Sequence, residues 1–125
     1  MKTIGTMLQS GDWKGEKHVP VIHVPEKVKK GEAFEVKVLI GEEIPHPNTL
    51  EHHISWIRVY FHPEGAKFPI EIGSSEFSAH GEGEVFNEPY LTLKVKVDKP
   101  GTIHAVSYCN IHGLWENSEE LNVEG

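Results

Sequence analysis

The chain has 125 residues, with 19 acidic side chains against 12 basic ones and a formal net charge of −7. That balance offers no basic stripe to neutralise phosphates, which excludes nucleic acid or an anionic membrane as the expected partner. The length fits a single domain, residues 1–125, whose core needs neither disulfides nor a structural metal to be stable.

A single cysteine, Cys109, excludes an internal disulfide and any iron–sulfur cluster or zinc ribbon within one chain. A lone thiol suits a reducing compartment, so the expected location is cytoplasmic. Residues 1–12 hold no apolar core long enough for a signal peptide, and no apolar run approaches membrane-spanning length. The unusual count is nine histidines, scattered rather than gathered into a tag.

Residues 1–17 place Gly5, Gly11 and Gly15 among polar positions with a lone Trp13, and read as a loop or short helical turn packed over the body. Residues 19–24 are extended and apolar, and Pro20 confines them to an edge or a strand start. The charged residues 25–32 read as a surface connection. Residues 34–40 alternate, with Phe34, Val36, Val38 and Ile40 on one face, as in a half-buried strand. In the loop 41–53, Pro45 and Pro47 deny His46 helical geometry and hold it in a stiff, extended stretch. Such stiffness favours a metal ligand, because the imidazole is fixed before it binds.

Residues 54–62 carry the strongest strand signal, ended by the turn Pro63-Glu64-Gly65. Two shorter strands are expected at 68–72 and 75–79, separated by Gly73, followed by a flexible acidic loop at 81–84. Residues 90–97 alternate again, 98–101 make a turn, 102–108 form a strand, and 120–124 close the chain with a short one. Short strands with turns between them and no helical period predict an all-β chain, an immunoglobulin-like antiparallel β-sandwich of about seven strands. No internal repeat is evident.

The chemistry concentrates in Tyr108-Cys109-Asn110-Ile111-His112-Gly113-Leu114-Trp115, where a thiolate leaves a strand end and an imidazole follows three residues later. His104 differs from Cys109 by an odd number of positions and so faces the other side of the same strand. His23 and His62 read as surface residues, and the place of His80, before Gly81, is open. His18, His46, one of His52 and His53, and His112 remain, each at a strand end or in an adjoining loop, where a sandwich gathers functional residues. Spacing does not choose between His52 and His53, because a bulge at the strand entry reverses which one faces the site.

Four imidazoles and a thiolate exceed the four ligands of structural zinc, and a soft thiolate excludes calcium and magnesium. Iron takes six ligands, so five protein donors leave one position for a small molecule. A cupredoxin-like copper protein for electron transfer is the alternative. Its usual axial methionine shortly after the histidine is missing, since the methionines are Met1 and Met7. A metal-free binding module leaves the histidines unexplained.

Glu16-Lys17-His18-Val19-Pro20, His46-Pro47-Asn48 followed by Glu51-His52-His53, and the stretch from Cys109 to Trp115 resemble the superoxide reductases of the one-iron neelaredoxin type (class II), across residues 9–117. The resemblance implies a β-sandwich with one mononuclear iron per subunit, cycling between Fe2+ and Fe3+ and reducing superoxide to hydrogen peroxide. It implies His18, His46, His52 and His112 as equatorial ligands, the first three through Nε2 and His112 through Nδ1, with Cys109 axial. Glu16 is then the sixth ligand of the oxidised metal, and Lys17 lies near the open site of the reduced one. Longer members add a four-cysteine iron centre that a lone cysteine cannot build, so a rubredoxin-like electron donor is expected. A homotetramer is expected from the one-iron relatives.

Overall fold

Alternation of buried and exposed side chains writes two sheets into the chain. The computed structural model describes residues 2–125; Met1, where the predicted N-terminal segment begins, lies outside them. The strands are β1 (Val21–His23), β2 (Lys27–Lys29), β3 (Phe34–Leu39), β4 (Ile54–Pro63), β5 (Ile70–Glu76), β6 (Tyr90–Val95), β7 (Gly101–Cys109) and β8 (Gly113–Glu124). One sheet has the order β1-β3-β6 and the other β2-β8-β7-β4-β5. A β-sandwich is therefore what the chain forms, as its alternation predicts.

Between the sheets, Val36 and Val38 of β3 meet Ile57 and Val59 of β4, Ile103 and Ala105 of β7 and Leu121 of β8, all at most 1% exposed. Burying each of the larger aliphatic side chains contributes about 1.5–3 kcal/mol. On β7 the inward set Ile103, Ala105, Ser107 and Cys109 alternates with His104, Val106 and Tyr108, so the thiol ends the core-facing row and His104 faces away from it. β1 is an edge strand preceded by Pro20, where the missing N–H does no harm.

Three expected boundaries are corrected. Residues 25–32 are more than a surface connection, since β2 lies in them and pairs parallel to β8, making that sheet mixed. Its single buried residue, Val28, sits between two exposed lysines, and the charge hides the pattern. The expected strands at 68–72 and 75–79 are one strand, β5, running through Gly73. There the glycine makes room for the facing sheet: a Cβ at Gly73 would lie 2.4 Å from Leu93 Cδ2. The last strand begins at Gly113, not Glu120, because Gly113 (φ +84°) turns β7 directly back into β8.

The N-terminal segment carries one turn of helix, α1 (Ile4–Met7), and is then stitched onto β8. Gln9 N–H donates to Leu114 O at 3.0 Å, and Glu116 N–H donates to Gln9 O at 2.8 Å. Among the described residues, no helix is long and apolar enough to cross a membrane.

Candidate metal centre

Four segments converge at one end of the sandwich. His18 arrives on the stretch entering β1, where Val19 and Pro20 are buried and Ser107 Oγ donates to His18 O at 3.4 Å. His46 and His52 come from the β3–β4 loop, which Gly41 opens at φ +86°; a Cβ there would stand 2.8 Å from His46 N. Cys109 ends β7, and His112 lies in the tight turn to β8.

His18, His46, His52 and Cys109 bring one donor atom each within 4.8 Å of one another. His112 joins them through Nδ1, 3.9 Å from Cys109 Sγ and 3.2 Å from His18 Nε2. The ring centroids of His18–His46, His46–His52 and His18–His112 are each 4.8 Å apart, and those of His52–His112 are 5.0 Å apart. Across the ring His18 and His52 are 6.5 Å apart, close to the diagonal of a square with those sides. The imidazoles thus stand at the corners of a near-square, with the fully buried thiol on its core side.

The donors are short of partners. His46 Nε2 and His52 Nε2 are buried without any hydrogen bond. The His46 Nδ1–H donates to Pro47 O at 2.7 Å, which leaves the Nε2 lone pair pointing inward. Likewise the His18 Nδ1–H donates to Glu16 Oε1 at 2.6 Å, so His18 Nε2 faces His112 Nδ1 with its lone pair. Two orphaned nitrogens beside that close pair and a buried thiol are an arrangement that a shared cation relieves.

The electrostatics agree. Burial lowers the His46 pKa to about 4 against a hydrogen bond to Pro47 that raises it, and the charges of His18, His52 and Lys17 push the same way as burial. His52 is lowered too, by burial first and then by His112, His18 and Lys17. Both rings are therefore neutral and ready to coordinate near neutral pH. Burial would raise Glu16, but the hydrogen bonds from the His18 ring and backbone N–H outweigh it and hold the carboxyl below its ordinary value. The His112 backbone N–H donates to Cys109 Sγ at 3.4 Å, which holds the sulfur in place.

The remaining histidines have other partners. The His23 Nε2 pairs with Glu42 at 2.6 Å, the His62 Nε2–H donates to Ala66 O, and His104 Nδ1 bonds Ser118 Oγ. The ladder between β4 and β7 breaks its register between Ile54 and Trp56. With that irregularity at the strand entry, His52 joins the ring while His53 turns away and stacks on His80. Sequence reasoning missed Trp115 and Gln9 as site residues. Trp115 stacks on the His18 ring at 4.7 Å and donates from Nε1 to His112 O, and Gln9 Nε2 donates to the same carbonyl at 2.7 Å. Trp115 stood inside the cysteine motif; Gln9 carried no signal.

The desulfoferrodoxin family profile matches residues 10–118. A superoxide reductase of Pyrococcus horikoshii is 54% identical over 91% of this chain and 95% of its own. A solved structure from Thermotoga maritima superposes on the whole of both chains with a TM-score of 0.96 at 50% identity. The reduced form of a superoxide reductase (neelaredoxin) of Archaeoglobus fulgidus has a TM-score of 0.86 at 49% identity, over 93% of this chain and 98% of that one.

Proposed function

We propose, for a chain that belongs to the desulfoferrodoxin family, that the square of imidazoles and the thiol beneath it hold one iron ion, with His18, His46, His52, His112 and Cys109 as ligands. The protein is an oxidoreductase that reduces superoxide. The observation that carries the iron reading is the set of inward-facing, unpartnered nitrogens around a buried thiol. Copper finds no support in it, since a blue-copper centre uses two imidazoles and leaves the other two without a role.

Bound there, iron supplies the single electron that, with two protons, turns superoxide into hydrogen peroxide. The protein's own groups set the conditions. Cys109 would donate negative charge to the metal, and the His112 N–H on its sulfur would temper how much. Lys17, half-buried beside the ring, draws a small anion toward a chain whose overall field repels it. Glu16, docked on His18 Nδ1, is the carboxylate that would serve as the sixth ligand of the oxidised metal.

The reading extends to a rubredoxin-like donor, because the lone cysteine leaves this chain no second iron centre to pass electrons through. It also extends to a cytoplasmic, homotetrameric protein with an immunoglobulin-like sandwich, as the resemblance to one-iron members implies.

The test is anaerobic metal analysis with optical spectra before and after oxidation, in the wild type and in Cys109→Ser. One iron per chain, colourless when reduced and with a thiolate charge-transfer band when oxidised that vanishes in the variant, is the expected result. Stoichiometric copper with an intense blue band, or zinc alone after growth with ample iron, defeats the iron reading.

A further inference from the structure

Two of the assigned ligands, His46 and His52, share one loop, and the bonds that hold this loop converge on a residue with no role so far. His80 is 5% exposed. Its Nδ1 faces Asn48 Oδ1 at 2.9 Å and its Nε2 faces Phe77 O at 2.7 Å. Its ring lies flat on His53, with centroids 3.5 Å apart and planes 6° from parallel. Asn48 stands just past His46, and His53 follows His52. One side chain therefore grips the chain beside both ligands.

The amide of Asn48 is oriented by a second bond, from Nδ2 to Asn87 O at 2.8 Å. Asn87 Oδ1 in turn accepts from the Ser78 and Ala79 N–H groups. Both partners of the His80 ring are thus oxygen acceptors. The ring is held from both of its nitrogens, by Asn48 on one side and Phe77 on the other. Two titratable groups face the ring. His53 donates from Nδ1 to Thr49 O at 2.9 Å, and Glu82 accepts the His80 backbone N–H at 2.7 Å. That bond is also the first cause of the lowered pKa of Glu82, which keeps a negative charge beside the ring.

We propose that His80 is a positioning residue of the metal centre: its buried ring, bonded to Asn48 and Phe77 and stacked on His53, ties the 46–53 loop to the 77–87 segment and so fixes the His46 and His52 rings before metal arrives. The inference rests on the ligand assignment above.

Cobalt(II) is the probe, because its visible spectrum reports both thiolate bonding and ligand geometry. Cobalt that gives no thiolate charge-transfer band in the wild-type chain overturns the ligand assignment and the brace together. With the band present, His80→Phe keeps the stack on His53 and loses both ring hydrogen bonds. The expected result is cobalt release to a chelator about tenfold faster, with shifted d–d bands and a native far-UV spectrum. Release at the wild-type rate with unchanged bands overturns the brace and leaves the metal centre standing. If His80→Phe fails to fold, Asn48→Ala, which removes the partner of His80 Nδ1, decides by the same cobalt release: faster release supports the brace, and the wild-type rate overturns it.

Discussion

Lys17 is one charge among many on the surface, yet it contributes to the lowered proton affinities of Glu16, His46 and His52 at once. A cation felt by all three stands beside the ring. Replacing Lys17 with Ala is expected to slow the second-order reaction with superoxide roughly tenfold at low salt and to flatten its dependence on ionic strength, with metal content unchanged. Pulse radiolysis across a salt series measures this, and an unaltered low-salt rate removes the steering role. At this scale the sequence exposed the ligand types and the three motifs that carry them, but not the choice between His52 and His53. That choice depends on a break in the β4–β7 ladder, which no local pattern announces. Gln9 was equally invisible, since its contact with the His112 carbonyl spans 103 positions.

Among the elements, β7 bears the most on the site, because it is central in its sheet and delivers Cys109. Its first residue, Gly101, packs so closely against β4 that a Cβ would fall 2.2 Å from His62 O, a backbone atom with nowhere to go. Gly101→Ala is therefore expected to destabilise the fold by about 1–3 kcal/mol. Gly73→Ala should cost less, since what it meets is the movable end of Leu93. Urea midpoints for the two variants check the ranking, and equal losses would contradict it. Strands with clean alternation, such as β3 and β6, could be read directly. β2 could not, because three residues with one inward valine make no period. The first half of β8 escaped as well, since its polar run Glu116-Asn117-Ser118 looks like a loop until β7 is there to pair with it.

For the whole molecule, the buried imidazoles make stability depend on pH. The folded chain holds the His46 pKa near 4, whereas the unfolded chain restores its ordinary value near 6.5. Between those values the unfolded state binds the extra proton, so the metal-free protein grows more stable as pH rises. The contribution is complete above about pH 6.5 and is lost as pH falls toward 4, at no more than about 1.4 kcal/mol per pH unit from this residue. His52 acts in the same direction. Denaturation midpoints of the metal-free chain from pH 7 to pH 4.5 test this, and a flat profile would refute it. The two-layer architecture was legible because strand alternation is a property of the whole chain. The burial that tunes His46 was not, since it arises only when distant loops close over it.

His18 and His112 face each other across 94 positions of sequence. During synthesis the first of these side chains leaves the ribosome long before the second exists, and Cys109 appears only with the end of the central strand. No earlier fragment presents the full square, so a metal ion captured from the cell can be enclosed only after nearly all of the sandwich has emerged. The square is thus a product of the finished fold rather than a seed of it.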